Sequence, residues 1–163
     1  MKLLKTILLS VTFLSSILLW ITRDEYLPSL SAFALSDNAV WYRIMHLSAS
    51  WFFLINAIEF KKYATEYILA LGMGLILAFD MYHHTTIHNV VTVFTLVLAS
   101  FTLLVNAETT FKKGIALIFV IGALGSFALG YFWTGFHFLM AEIIAMTFLS
   151  SGKLTEIYSV KNK

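Results

Sequence analysis

Apolar residues run through this chain in six long stretches, 3–22, 41–60, 64–82, 87–107, 114–133 and 135–151, separated by short polar breaks. About 20 apolar residues wound as a helix cover the hydrocarbon core of a bilayer. The pattern therefore predicts an all-α fold, a polytopic membrane bundle of six transmembrane helices forming one domain over 1–163. The longest break, 23–40, is too short for a soluble domain. Within the stretches the polar positions keep helical spacing. In the fourth, His88, Thr92, Thr95, Ala99, Thr102 and Asn106 advance by alternating fours and threes, which draws one stripe down a helix. A second stripe runs through Arg43, His46, Ser50 and Ala57, interrupted by Phe53. A bilayer core offers no water, so both stripes are expected to face other helices. They define a polar pocket between spans two, four and six, with Arg43, Ser50, Thr92 and Thr95 in its wall.

Two internal patterns accompany the stripes. Asn56-Ala57 ahead of Phe60-Lys61-Lys62 is echoed by Asn106-Ala107 ahead of Phe111-Lys112-Lys113, which suggests a duplicated helical hairpin. Ala70, Gly74 and Ala78 in span three, and Gly122, Ser126 and Gly130 in span five, recur at every fourth residue. Such small-residue stripes let helix backbones approach closely within a membrane.

Composition narrows the class further. Of 163 residues 60% are hydrophobic and 12% charged, with a mean hydropathy of +0.84. A soluble domain carries roughly 25% charged residues, so a soluble monomer is excluded. The net charge of +2 points away from nucleic acid, and the absence of cysteine excludes disulfides and thiolate chemistry. Charge placement is more informative than net charge. With the N-terminus inside, Lys2, Lys5, Lys61, Lys62, Lys112, Lys113, Lys153, Lys161 and Lys163 share one side, and only Arg23 and Arg43 fall on the other. Positive residues collect in cytoplasmic loops, so both termini are expected in the cytoplasm, as in a bacterial inner-membrane protein. Lys2 and Lys5 ahead of an apolar run, with Ala32-Phe33-Ala34 downstream, also fit a signal peptide. The length of the run and the intervening Arg23-Asp24-Glu25 favour an uncleaved span.

Under this topology all five histidines lie toward the outer side: His83 and His84 in the turn after span three, His88 opening span four, His137 opening span six, and His46 within span two. Asp80 joins them. Neutral imidazole ligates zinc, copper, iron or nickel, and a carboxylate completes or orients such a site. His46, His88, His137, Asp80 and His84 are thus the candidate ligands for a metal or another ligand, zinc foremost. In a zinc hydrolase acting on lipid, Asp80 or Glu142 would be the general base. Two facing histidines would equally suit haem. A solvated rim of headgroup-level histidines is the competing reading, and no compact His-Glu-x-x-His motif is present. Glu142, inside span six, needs an interior partner, with Arg43 the nearest counter-charge by depth. The expected partners are membrane lipids, a small molecule and a second copy or another membrane protein.

The loop Pro28-Ser29-Leu30-Ser31-Ala32-Phe33 and the Ile87-His88 pair resemble the DRAM/Frag group of six-span membrane proteins and their bacterial relatives. That group often carries a Pro-x-Ile-Ser loop and a histidine heading the fourth span, onto which Ser29, Ser31 and His88 map. The resemblance implies a six-helix fold and a role in membrane lipid handling. His46 and Asp80 have no counterpart in it.

Overall fold

A computed structural model describes residues 1–22, 29–60, 64–79, 83–107, 109–132 and 138–159. They form six α-helices: α1 (Lys2–Ile21), α2 (Ala39–Phe60), α3 (Ala64–Ala78), α4 (Thr85–Val105), α5 (Thr110–Phe132) and α6 (Phe138–Ser159). A short 3-10 segment, Leu30–Leu35, lies between α1 and α2. No strand occurs among the described residues.

Each helix packs beside its neighbours in sequence, and α6 returns to α1, closing a ring; α4 and α6 also touch across it. Side-chain bonds give the helix directions. The start of α1 meets the end of α2 through Lys5 and Asn56, and the end of α6 meets the start of α3 through Lys153 and Glu66. The end of α4 joins them through Asn106 and Glu156. At the opposite end, His88 near the start of α4 meets Phe79 just beyond α3, and Glu142 near the start of α6 meets Leu30. Consecutive helices therefore alternate in direction, and the start of α1 and the end of α6 share one end, where Thr6 contacts Tyr158.

Polarity is arranged inside out. On α4 the buried face carries His88, Thr95, Ala99 and Thr102, whereas Ile87, Val90, Phe94, Val97, Phe101 and Val105 recur every three or four residues on the exposed face. Water would penalise so continuous an apolar surface, and hydrocarbon would not.

Three helices are long and apolar enough to cross a membrane: α1, α4 and the Thr110–Gly130 part of α5. The six-span expectation is met by length and composition for these alone among the described residues. Apolar α3 has only 15 residues, ending at Ala78 rather than 82. Helices α2 and α6 are 22 residues each, but α2 holds Arg43 and Glu59, and α6 holds Glu142, Lys153 and Glu156. The last two also explain why α6 continues past residue 151: each is ion-paired, so the chain stays helical beyond its apolar stretch.

The small-residue stripes need one correction. A Cβ on Gly74 would meet nothing within 4 Å, and Ala78 is exposed, so the face of α3 that closes on α4 is set by Gly72. A Cβ on Gly72 would lie 2.4 Å from Thr95 Oγ1. In α5 the stripe does mark a contact, because a Cβ on Gly122 would lie 2.6 Å from the Phe148 ring on α6.

Candidate functional site

The 3-10 segment closes one end of the ring. Ser29 caps it, its Oγ accepting from Ala32 N–H at 3.3 Å, as short polar side chains do at helix starts. Leu30, Ser31, Ala32 and Phe33 are buried beneath it, with Phe33 fully inaccessible. Leu30 and Phe33 pack on Leu19 of α1 and on Tyr42 and Met45 of α2. This apolar footing presses the segment onto the helix ends and leaves a cavity of about 80 Å³ below it.

Residues from α2, α4 and α6 supply the polar wall of that cavity: Tyr42, His46, His88, Thr92, Thr95 and Glu142. His46 Nδ1 lies 3.0 Å from the Tyr42 carbonyl one turn earlier, and the Tyr42 ring stacks 4.3 Å from the imidazole. His88 Nδ1 lies 2.7 Å from the Phe79 carbonyl. A carbonyl only accepts, so each Nδ1 carries the proton, and in the neutral ring Nε2 is left with its lone pair. Glu142 Oε2 accepts the Leu30 N–H at 2.6 Å, tying α6 to the closing segment. This backbone donor, and not Arg43, answers the carboxyl; Arg43 is exposed and lines no part of the cavity.

Two hydroxyls stand apart. Elsewhere in the bundle, buried helix hydroxyls bond to a carbonyl one turn back, as Thr12 does to Leu8, Ser48 to Ile44, Ser100 to Leu96, Thr102 to Ala99 and Thr147 to Ile143. Thr92 Oγ1 and Thr95 Oγ1 are buried with no hydrogen-bond partner among the described residues. Both border the cavity. Buried polar atoms are nearly always satisfied, so a pair of orphans on one cavity wall marks a place for an outside group.

Of the expected site residues, the structure brings His46, His88, Thr92, Thr95 and Glu142 together. Ser50 is elsewhere, its Oγ donating to the Ala70 carbonyl at 2.9 Å to link α2 and α3. His84 is exposed just before α4, edge-on to Phe79 at 5.4 Å between ring centres. His83, also exposed, has its ring centre 6.5 Å from that of His84. Asp80 and His137 lie outside the described residues. Among the described residues no three of His, Asp and Glu converge to hold a metal ion, so the histidine rim is not a ligand cluster there. One His per helix at matched depth is enough to share a cavity; common ligation also needs side chains that converge on a point.

The other end of the ring holds a feature the hydropathy pattern did not foretell. Lys153 Nζ is 3.0 Å from Glu66 Oε1 and 3.0 Å from Glu156 Oε2, and Glu156 Oε1 accepts from Asn106 at 2.7 Å. Lys5 bonds Asn56 Oδ1 at 2.8 Å and pairs with Glu59. Lys5, Lys153 and Glu66 are each buried to within 2% of complete inaccessibility. These lysines are therefore internal counter-ions, although their place in the sequence suggests loop charges. The three glutamates near the lysine-rich helix ends were the signal available for this pairing.

Comparison of the chain with protein-family models, with curated proteins and with solved structures returns no match.

Proposed function

We propose that the chain is an integral membrane protein of six transmembrane helices whose cavity beneath Leu30–Leu35 receives the polar head of a membrane lipid or similar small amphiphile. The ring supports the six-span reading. Helices α1, α4 and α5 are long and apolar enough to cross, and α2, α3 and α6 run alongside them with alternating direction. The charges of α2 and α6 lower their mean hydropathy, yet Glu142 and Lys153 point into the ring's own cavity and ion pairs. Setting aside buried Lys5 and Lys153, seven lysines still face two arginines across the chain, which favours cytoplasmic termini and a cavity on the outer side.

The observation that carries the binding reading is the pair of unpartnered hydroxyls, Thr92 and Thr95, facing the same cavity as two imidazoles. Apart from these four, Ser31, Tyr42 and Glu142, the lining is apolar, including Met45, Met73, Leu96 and Met146, as a site for an amphiphile requires. At about 80 Å³ the cavity admits a headgroup and its first carbons but not a whole lipid, whose tail would stay among the surrounding chains. Ser31 and His88, two of the residues that carry the resemblance to the DRAM/Frag-like proteins, sit in this lining, and we place the chain with that group on this reading.

Native mass spectrometry of the full chain, purified in detergent and offered a total membrane lipid extract, tests the proposal. One lipid adduct per chain is expected in the wild type and its loss in Ala99→Leu, where the isobutyl side chain fills the cavity. An adduct equally abundant in Ala99→Leu would refute it.

A further inference from the structure

Resting on the reading of the cavity as a headgroup site, we infer that the head it selects is an uncharged hydroxyl, so that the ligand is a neutral hydroxyl-bearing lipid of the diacylglycerol kind. Among the described residues the lining contains no lysine or arginine. A phosphate would enter a poorly solvated space with no lysine or arginine among the described residues to meet it, and burying an unpaired ion is unfavourable. The buried cations of this protein lie at the other end of the bundle, already paired with Glu59, Glu66 and Glu156.

The hydrogen-bonding groups of the wall are complementary to a hydroxyl in particular. His46 and His88 each commit Nδ1 to a backbone carbonyl, which directs the Nε2 lone pair of the imidazole form to a donor. Thr92 and Thr95 have hydroxyl protons with no carbonyl to receive them, and these require an acceptor. One oxygen of Glu142 is occupied by Leu30 N–H. A hydroxyl donates once and accepts twice, so a single group can donate to one of the imidazoles while accepting from both threonines. An ionised phosphate only accepts, and an ammonium only donates, so either leaves one set of partners unmet. Size agrees: a water needs about 10–15 Å³ on the same measure, so about 80 Å³ holds a hydroxymethyl end and its neighbouring carbons. Beyond the hydroxyl the cavity turns to Met45, Met73 and Met146, flexible thioether side chains that fit acyl or ester carbons.

The test presents three lipids that carry long monounsaturated chains to the full-length protein in detergent and compares them by native mass spectrometry: dioleoylglycerol, dioleoyl phosphatidic acid and the single-chain amine oleylamine. Dioleoylglycerol is expected to bind at least about tenfold more tightly than either charged lipid, the worth of two hydrogen bonds of about 0.5–1.5 kcal/mol each. The isosteric double variant Thr92→Val/Thr95→Val is expected to lose about that tenfold and leave the weak background of the charged lipids unchanged. The wild-type headgroup ranking needs no variant, so a poorly folding mutant does not obscure the result. Phosphatidic acid or oleylamine binding as tightly as dioleoylglycerol, with that binding abolished by Ala99→Leu, overturns the inference and leaves the headgroup pocket standing. Binding of all three that survives Ala99→Leu overturns both.

Discussion

The two ends of the helix ring handle buried polarity in opposite ways. At the end shared by the termini, ionised groups are brought inside and satisfied by one another: Lys5 with Asn56 and Glu59, Lys153 with Glu66 and Glu156, and Glu156 with Asn106. At the end closed by Leu30–Leu35, the wall holds imidazoles and hydroxyls, and part of their bonding capacity is unused. Two charged clusters, one joining α1 to α2 and the other joining α3, α4 and α6, pair their lysines internally, and Glu66 Oε2 is an oxygen left without a hydrogen-bond partner there among the described residues. The cavity wall forgoes stability and retains affinity. Substitutions at the two ends should accordingly separate stability from binding.

The largest effect belongs to the paired end. Lys153→Met leaves buried Glu66 and half-buried Glu156 without their cation, and breaking a buried pair such as Lys153–Glu66 typically costs about 3–5 kcal/mol. Thermal unfolding followed by circular dichroism in detergent should show a much lower midpoint, with lipid stoichiometry unchanged for the fraction that remains folded. A midpoint within a degree or two of wild type would mean that this network is not what holds the helices. Gly72→Ala is the intermediate case and the one that couples the two ends of the comparison. Its Cβ would press on Thr95 Oγ1, so Thr95 must turn or α3 must move from α4, at about 1–3 kcal/mol for overpacking. Both the unfolding midpoint and dioleoylglycerol affinity should fall; unchanged affinity would detach Thr95 from the site. Smallest in stability is Thr92→Val/Thr95→Val. Replacing unpartnered hydroxyls by methyl groups of the same shape breaks no internal bond, so the midpoint should stay within about 0.5 kcal/mol of wild type or rise. A marked loss of stability would show that these hydroxyls already have partners in the protein and would remove the ground for the site.

Helical periodicity carried much of this architecture on the page of residues. The stripe from His88 to Asn106 lies inward on α4 because threes and fours in apolar surroundings leave few other places for polar groups. It also placed Thr92 and Thr95 together, since the two are one turn apart on that face. Ser50 and Arg43 obeyed the same spacing on α2 and yet left the cavity. Ser50 faces Ala70 on α3, and Arg43 can extend its long side chain outward at little cost. Periodicity assigns a face to a helix and not the neighbour that face meets. The same limit explains Gly72, which lies outside the four-residue stripe but opposite Thr95. The ion pairs were harder still. Lys153 and Glu66 are 87 positions apart, and a lysine beside a span reads as a loop charge until the ring brings α6 against α3. The echo of Asn56 in Asn106 acquires a physical meaning only here: each asparagine, in the last turns or at the cap of its helix, bonds a charged residue of a terminal helix, Lys5 of α1 or Glu156 of α6.

The contact between Leu30 and Glu142 has a genetic consequence. Its donor is a backbone N–H, which every residue except proline supplies equally. A mutational scan at position 30 would register only how well each side chain fills its place against Leu19 and Tyr42, with proline alone reporting on the latch. At position 142 nearly every replacement would report on it. The closing segment can thus vary in side chains and keep the same bond, and its hydrogen-bonded tie to α6 rests on one carboxyl.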